Sequence, residues 1–179
     1  MNQADIERQL QGAKPGDILL FYRARGINRI ITAFSRSRYY HVGIYAGDFW
    51  VVESRPQGVV KRDLRQPGGG RHFRVIAAPG GREVGEKALE YASRQIGDGY
   101  AVWSVFALVF DRIFDFAHLN LRQRDRFSCG ELVVKAFAHA GKPLFPQREA
   151  EVVAPWDFAQ LLPRSQTRLR GRGTRELLD

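Results

Sequence analysis

Cysteine is almost absent from this chain of 179 residues: it occurs once, which excludes an internal disulfide and any site built from several thiolates. The four histidines are scattered along the sequence, without the spacing of a zinc site. We therefore expect no metal ion and no cofactor. The N-terminal sequence MNQADIERQL also lacks the apolar stretch of a secretory signal, so we expect a reducing, cytoplasmic compartment.

Acidic residues are too few to balance the basic ones. The chain has 28 lysines and arginines against 19 aspartates and glutamates, a net charge of +9 and an isoelectric point near 10.2. Such a charge attracts anionic partners, which include lipid headgroups, acidic surfaces and nucleic acid. No signature of a nucleic-acid-binding module accompanies it, so we do not expect a nucleic-acid partner. Two interpretations stay open: peripheral contact with an anionic membrane surface, and simple solubility with a basic tail.

No apolar run is long enough to cross a bilayer. The most hydrophobic segment, Tyr100–Phe110, has eleven residues without a charge, whereas a spanning helix needs about 20 apolar residues. We predict that this segment forms a buried core helix. Two alternatives are the wall of an acyl-binding groove and a surface that touches a membrane.

The composition is that of a globular protein, since 44% of the residues are hydrophobic and 12% are aromatic. We assign residues 1–163 to a single domain and residues 164–179, which carry five arginines, to a basic, disordered or peripheral tail. Hydrophobic periodicity predicts both strands and helices, and we expect an α+β fold in which an antiparallel, partly barrel-like sheet packs against the helices. The predicted strands are 18–22, 39–46, 49–54, 59–64 and 72–77; the predicted helices are 2–11, 26–35, 83–96, one that begins at Cys129, and a short one that begins at Ala154–Phe158.

The single cysteine, Cys129, lies at a predicted helix start. Ser128 followed by Glu131, just ahead of an apolar run, is the capping-box pattern, which makes Ser128 the N-cap. Gly141 and Pro143 predict the end of the helix. Free backbone N–H groups and the helix dipole favour a thiolate at such a start. Cys129 is therefore a candidate nucleophile, although a lone cysteine is more often a small buried hydrophobic residue.

A predicted β-hairpin supplies a base and a carboxylate. His41 and Glu53 are equally far from Gly47 in its turn, and a three-residue loop, Ala46–Asp48, would place the two side chains opposite each other. A carboxylate beside an imidazole fixes its tautomer, raises its pKa and favours an imidazolium–thiolate pair with Cys129. The structural alternative is a strand histidine with ordinary partners and a solvated glutamate. Apolar neighbours in both strands weaken that alternative, because a core-packed hairpin would leave an unpaired Glu53 costly.

Five stretches of the chain resemble, in the same order, one protein family: GDILLFY, YYHVGIYAGD, VVESRPQGVV, FSCGELVVKAFAHAG and APWDFAQ. They are similar to the circularly permuted papain-like amidases of the YaeF/YiiX type. These belong to the NlpC-type superfamily, which also contains lecithin:retinol acyltransferase-like proteins. The chain has the permuted order, in which the histidine and a polar residue precede the cysteine.

The resemblance implies a permuted papain-like fold and a cysteine-dependent hydrolase or acyltransferase. Cys129 would be the nucleophile, His41 the general base and Glu53 the orienting polar group, a position at which the family often has histidine. It also implies amide or ester bonds, so the expected partner is a small-molecule, lipid-like or peptide substrate. Two further functions stay open: a non-catalytic lipid- or peptide-binding module at anionic surfaces, and a cell-wall peptide amidase, which would require export.

Overall fold

The computed structural model describes residues 3–22, 37–55, 58–66, 72–97 and 129–163, and every structural statement below concerns these residues. Four of the predicted features fall outside them. They are the helix 26–35, the apolar segment Tyr100–Phe110, the capping residue Ser128 and the basic tail 164–179.

The predicted helices and strands that fall within the described residues are present, with boundaries that differ by at most two residues, whereas the 3₁₀ helix Ala150–Val152 was not predicted. In the described part of the chain, no helix is both long enough and apolar enough to cross a bilayer. The elements are α1 (Gln3–Leu10), β1 (Ile18–Tyr22), β2 (Tyr39–Gly47), β3 (Trp50–Arg55), β4 (Gly58–Asp63), β5 (Phe73–Ile76), α2 (Arg82–Arg94) and α3 (Cys129–His139), followed by 3₁₀ helices at Ala150–Val152 and Pro155–Leu161.

The five strands form one antiparallel sheet in the order β4-β3-β2-β1-β5. This confirms a mixed α and β architecture with an antiparallel sheet. The two edge strands of the order, β4 and β5, do not pair with each other, so the described strands leave the sheet open rather than closed as a barrel.

Helices cover both faces of the sheet because the strands alternate their apolar residues between two clusters. Val42 and Ile44 of β2 belong to the cluster on which α2 and α3 pack. Tyr45 and Val51 belong to the opposite cluster, which contains the two buried residues of α1. Helices α2 and α3 also pack against each other. Cys129 is therefore the first residue of a helix that packs on β2, the central strand of the sheet.

The β2–β3 hairpin differs from the prediction in its turn. Gly47 pairs with Trp50, so the loop has two residues, Asp48 and Phe49. Both have positive φ angles, 46° and 67°, as a type I′ turn requires. Ala46 is then left out of the ladder as a β-bulge.

This bulge decides which side chains share a face. Ile44 pairs with Val52, and the same register places Glu53 opposite Gly43, so the predicted direct pairing with His41 is wrong by two residues. The two-residue turn alone would shift the pairing by an odd number of residues, and the bulge at Ala46 changes that shift by one, so the total shift is two residues. Because an even shift keeps side chains on the same face, His41 and Glu53 stay on one face as diagonal neighbours. Gly43 leaves room for them, since a Cβ there would lie 3.1 Å from the Cβ of Glu53.

The C-terminal end of α3 is confirmed. Gly141 has a φ angle of 81°, and its N–H donates to the carbonyl of Ala138 at 3.0 Å. The N–H of Lys142 donates to the carbonyl of Phe137 at 2.8 Å. Together these bonds form a Schellman motif, which ends the helix at the predicted glycine.

The other end of α3 is fixed by a close backbone approach. Gly130 is buried, and a Cβ built on it would lie 2.1 Å from the carbonyl oxygen of Val153. That contact is with main chain, so a side chain at position 130 would push α3 away from the segment that precedes the last 3₁₀ helix. The absent side chain therefore sets the position of Cys129.

We expect Gly130→Ala to lower the free energy of unfolding, measured in urea, by about 2 kcal/mol, because overpacking a close contact costs roughly 1–3 kcal/mol. Helix propensity alone would favour alanine by about 1 kcal/mol. Ala138→Gly, at an exposed position of the same helix, is the matched control and should show only the propensity effect. A Gly130→Ala protein as stable as the parent would contradict the close approach.

Candidate functional site

The three predicted side chains come together. His41 Nε2 lies 3.1 Å from Glu53 Oε2, and the side chain of Cys129 is close enough to His41 to raise the pKa of its ring. Since Nε2 faces the carboxylate, Nδ1 is the ring nitrogen left for the thiol. The order is thiol, imidazole, carboxylate, drawn from α3, β2 and β3.

A second β-bulge lies next to His41. Phe21 pairs with His41 and Tyr22 with Tyr39, which leaves Tyr40 outside the ladder. As a result, Tyr39 and Val42 both pack in the cluster under the helices, although strict alternation would put them on opposite faces. Bulges bend a strand and re-aim its side chains. Here the bulge lies immediately before the histidine that meets the thiol of α3.

Cys129 is the first residue of α3 and only 5% exposed. The predicted N-cap, Ser128, lies outside the described residues. Backbone N–H groups in the first turn of a helix have no partner within the helix, so they are available to a negative charge. The thiol thus combines a nearby imidazole with a local field that favours an anion.

Glu53 is completely buried and surrounded by cations. Arg62 on β4 donates from Nε to Oε1 at 2.5 Å and from Nη2 to Oε2 at 3.1 Å. Arg55 Nε lies 3.1 Å from Oε1. Sequence reasoning missed both arginines. For Arg62 the available signal was a charged residue in a strand whose first three residues, Gly58–Val60, are uncharged, and it becomes informative only when the strand register is known.

The charges of His41 and Glu53 shift each other's pKa. Burial by itself would lower the pKa of His41, but the charge of Glu53 and the hydrogen bond with Cys129 outweigh it and raise this pKa from 6.5 to about 9. Burial would raise the pKa of Glu53, but the charge of His41 and its hydrogen bond, with Arg62, lower it from 4.5 to about 2. At neutral pH the site therefore holds an imidazolium beside a carboxylate.

Aromatic rings enclose the imidazole. The Phe21 ring centroid is 5.5 Å from that of His41, and the half-buried Tyr40 ring stacks on His41 at 6.5 Å and 27°. Burial, followed by the charge of Glu53, raises the pKa of Tyr40. At the end of β1, Tyr22 packs against Tyr39 and His72.

The arrangement can move one proton between sulfur and nitrogen while the carboxylate holds the ring. A base that takes the thiol proton and later returns it is what nucleophilic catalysis by cysteine requires. Within the described ranges, no group of three or more histidine, cysteine, aspartate or glutamate residues could hold a metal ion. The chemistry that this geometry supports is acyl transfer through sulfur.

The raised pKa of His41 predicts a pH dependence of stability. Because the folded value, about 9, exceeds the unfolded value, 6.5, the added stability is complete below pH 6.5 and is lost as the pH rises to 9. We expect the free energy of unfolding in urea to fall more across this interval in the wild-type protein than in His41→Gln, which lacks the titrating ring. Parallel pH profiles for the two proteins would exclude the coupled pair.

No protein-family model matches the chain, and no curated protein matches it.

Proposed function

We propose that this chain is a cysteine-dependent hydrolase or acyltransferase that cleaves an amide or ester bond through a thioester acyl-enzyme. The observation that carries the proposal is the convergence of three side chains: the Glu53 carboxylate lies 3.1 Å from the His41 ring, and Cys129 is close enough to raise the pKa of that ring. In the series thiol, imidazole, carboxylate, the imidazole can accept the proton of the thiol, and the carboxylate can stabilise the imidazolium that results. The resemblance to permuted papain-like amidases, whose residue order is the same, agrees with this role.

The first step forms the acyl-enzyme. Before the substrate reacts, the thiol proton is already on the His41 nitrogen that does not face Glu53, so the site holds an imidazolium and a thiolate, and the thiolate sulfur attacks the substrate carbonyl carbon. The carbonyl oxygen gains the negative charge, and the backbone N–H of Cys129 is a candidate donor to it, because it belongs to the first turn of α3. The imidazolium then protonates the leaving amine or alcohol, and the carbon–heteroatom bond breaks.

The second step resolves the thioester. Neutral His41 removes a proton from water or from another acceptor, which attacks the acyl carbon, and the thiolate leaves. Glu53 does not exchange a proton in either step, because its pKa of about 2 keeps it ionised. Its contribution is to orient the ring and to stabilise the imidazolium, as the carboxylate of a catalytic triad does.

The substrate class that we propose is an N-acyl, lipid-like or peptide compound. The basic composition supports an anionic surface as the place where such a substrate is met. The rival function is a non-catalytic lipid- or peptide-binding module, which would not need an activated thiol. Reactivity of the thiol therefore separates the two functions.

We expect Cys129 to be alkylated by iodoacetamide well below neutral pH, because an imidazolium partner stabilises the thiolate. Cys129 is the single cysteine of the chain, so the mass shift of the intact protein reports it without mapping. His41→Ala should reduce the rate at pH 6 by at least about tenfold. The same protein unfolded in urea supplies the profile of an ordinary thiol.

The matched control is His139→Ala, which removes a histidine at the opposite end of α3. It should leave the alkylation profile unchanged. If folded wild-type protein and the urea-unfolded reference gave one profile, the thiol would not be activated and the binding module would be the better account.

We expect intact-mass detection of a covalent adduct with one class of an activity-based probe set that covers acyl amides, phospholipids and cell-wall peptides. The reactive class identifies the bond that Cys129 attacks, and Cys129→Ala should form no adduct because it lacks the nucleophile. Labelling of the alanine variant at the wild-type rate would show that the probes react elsewhere. The absence of any adduct from the wild-type protein would count against catalysis.

A further inference from the structure

The carboxylate that holds His41 also pairs with two arginines, Arg55 and Arg62. Arg62 donates to both of its oxygens, to Oε1 at 2.5 Å and to Oε2 at 3.1 Å. His41 Nε2 contacts Oε2, also at 3.1 Å. The imidazole and the guanidinium therefore share one oxygen of the Glu53 carboxylate.

Arg62 is itself held in place. It pairs with Val51 across β3 and β4, which makes it a diagonal neighbour of Glu53 on the same face. Its side chain is only 8% exposed. The guanidinium carbon lies 5.8 Å from the Phe21 ring centroid, and that ring packs against His41. The cation is therefore fixed by the carboxylate on one side and an aromatic ring on the other.

We propose that Arg62 is a positioning residue that limits how tightly His41 holds its proton, by sharing the carboxylate on which the imidazolium depends. A carboxylate that already neutralises one buried cation attracts a second cation less strongly. The inference rests on the proposed function for its purpose: an imidazolium held too tightly is a poor acid toward the leaving group. It does not rest on that function for its measurement.

Among the described residues, the charged and titratable groups around the His41 ring are few enough that substitutions can measure the effect of each one. Glu53 on β3 and Cys129 on α3 favour the imidazolium, and Tyr40 stacks on it from β2. Arg55 is the natural comparison for Arg62. Its Nε contacts Oε1 at 3.1 Å, but its side chain is 34% exposed, so water screens its charge.

The test is an NMR titration of the His41 ring between pH 5 and 11, with its signal identified by its loss in His41→Gln. We expect Arg62→Gln, which removes the charge and keeps a hydrogen-bonding group, to raise the midpoint by about one pH unit. Arg62→Lys keeps the charge but cannot grip both oxygens, and should raise the midpoint by less. Arg55→Gln is the matched control and should leave the midpoint within about 0.3 units of wild type.

A structural role alone would lower the melting temperature of Arg62→Gln without moving the midpoint. An unchanged or lowered midpoint in both Arg62 variants overturns the inference. If Arg62→Gln does not fold, the His41 midpoint of Arg62→Lys is compared with that of Arg55→Lys. The inference then requires a higher midpoint in Arg62→Lys than in Arg55→Lys. Iodoacetamide alkylation of wild-type Cys129 is measured in parallel. An ordinary thiol profile would remove the proposed function, while the His41 midpoint would still decide the role of Arg62.

Discussion

The complete burial of the Glu53 carboxylate is the constraint on which the site depends. Removing a carboxylate from water costs several kcal/mol even after the protein relaxes, and only close opposite charges offset this cost. Glu53 has three such partners, His41, Arg55 and Arg62. Any arrangement of the sheet that separated them would leave a buried charge uncompensated. The hairpin, the next strand and the histidine are therefore linked by one electrostatic requirement.

Such a network is weak evidence of stabilisation in itself, since well-packed apolar residues often stabilise a core as well as buried ions do. What it supplies is geometry. Arg62 fixes both oxygens of the carboxylate, and the carboxylate fixes the ring of His41. The ring then has one nitrogen directed away from Glu53, where the thiol of Cys129 meets it. A charged group that is costly to bury thus determines the orientation of the group that moves the proton.

Two β-bulges in β2 determine which face of the sheet its side chains occupy. The bulge at Ala46 restores an even offset between β2 and β3, and the bulge at Tyr40 changes the face of the residues before His41. Between them, Gly43 leaves the space beside Glu53 unfilled. The expectation that His41 and Glu53 share a face was met, but the three-residue loop from which it was argued is wrong. The even spacing that places both side chains on one face was therefore predicted correctly, whereas their direct pairing was not.

The sequence by itself determined the positions of the helices and strands, the stop at Gly141 and the placement of Cys129 at a helix start, because periodicity and capping are local properties. Only the tertiary structure decided the register of the hairpin, the two arginines on Glu53 and the approach of Val153 to Gly130. These features join segments that are distant in sequence, and their energies depend on packing and charge between those segments. A strand pattern with period two fixes which residues alternate, but not which residue of another strand lies opposite.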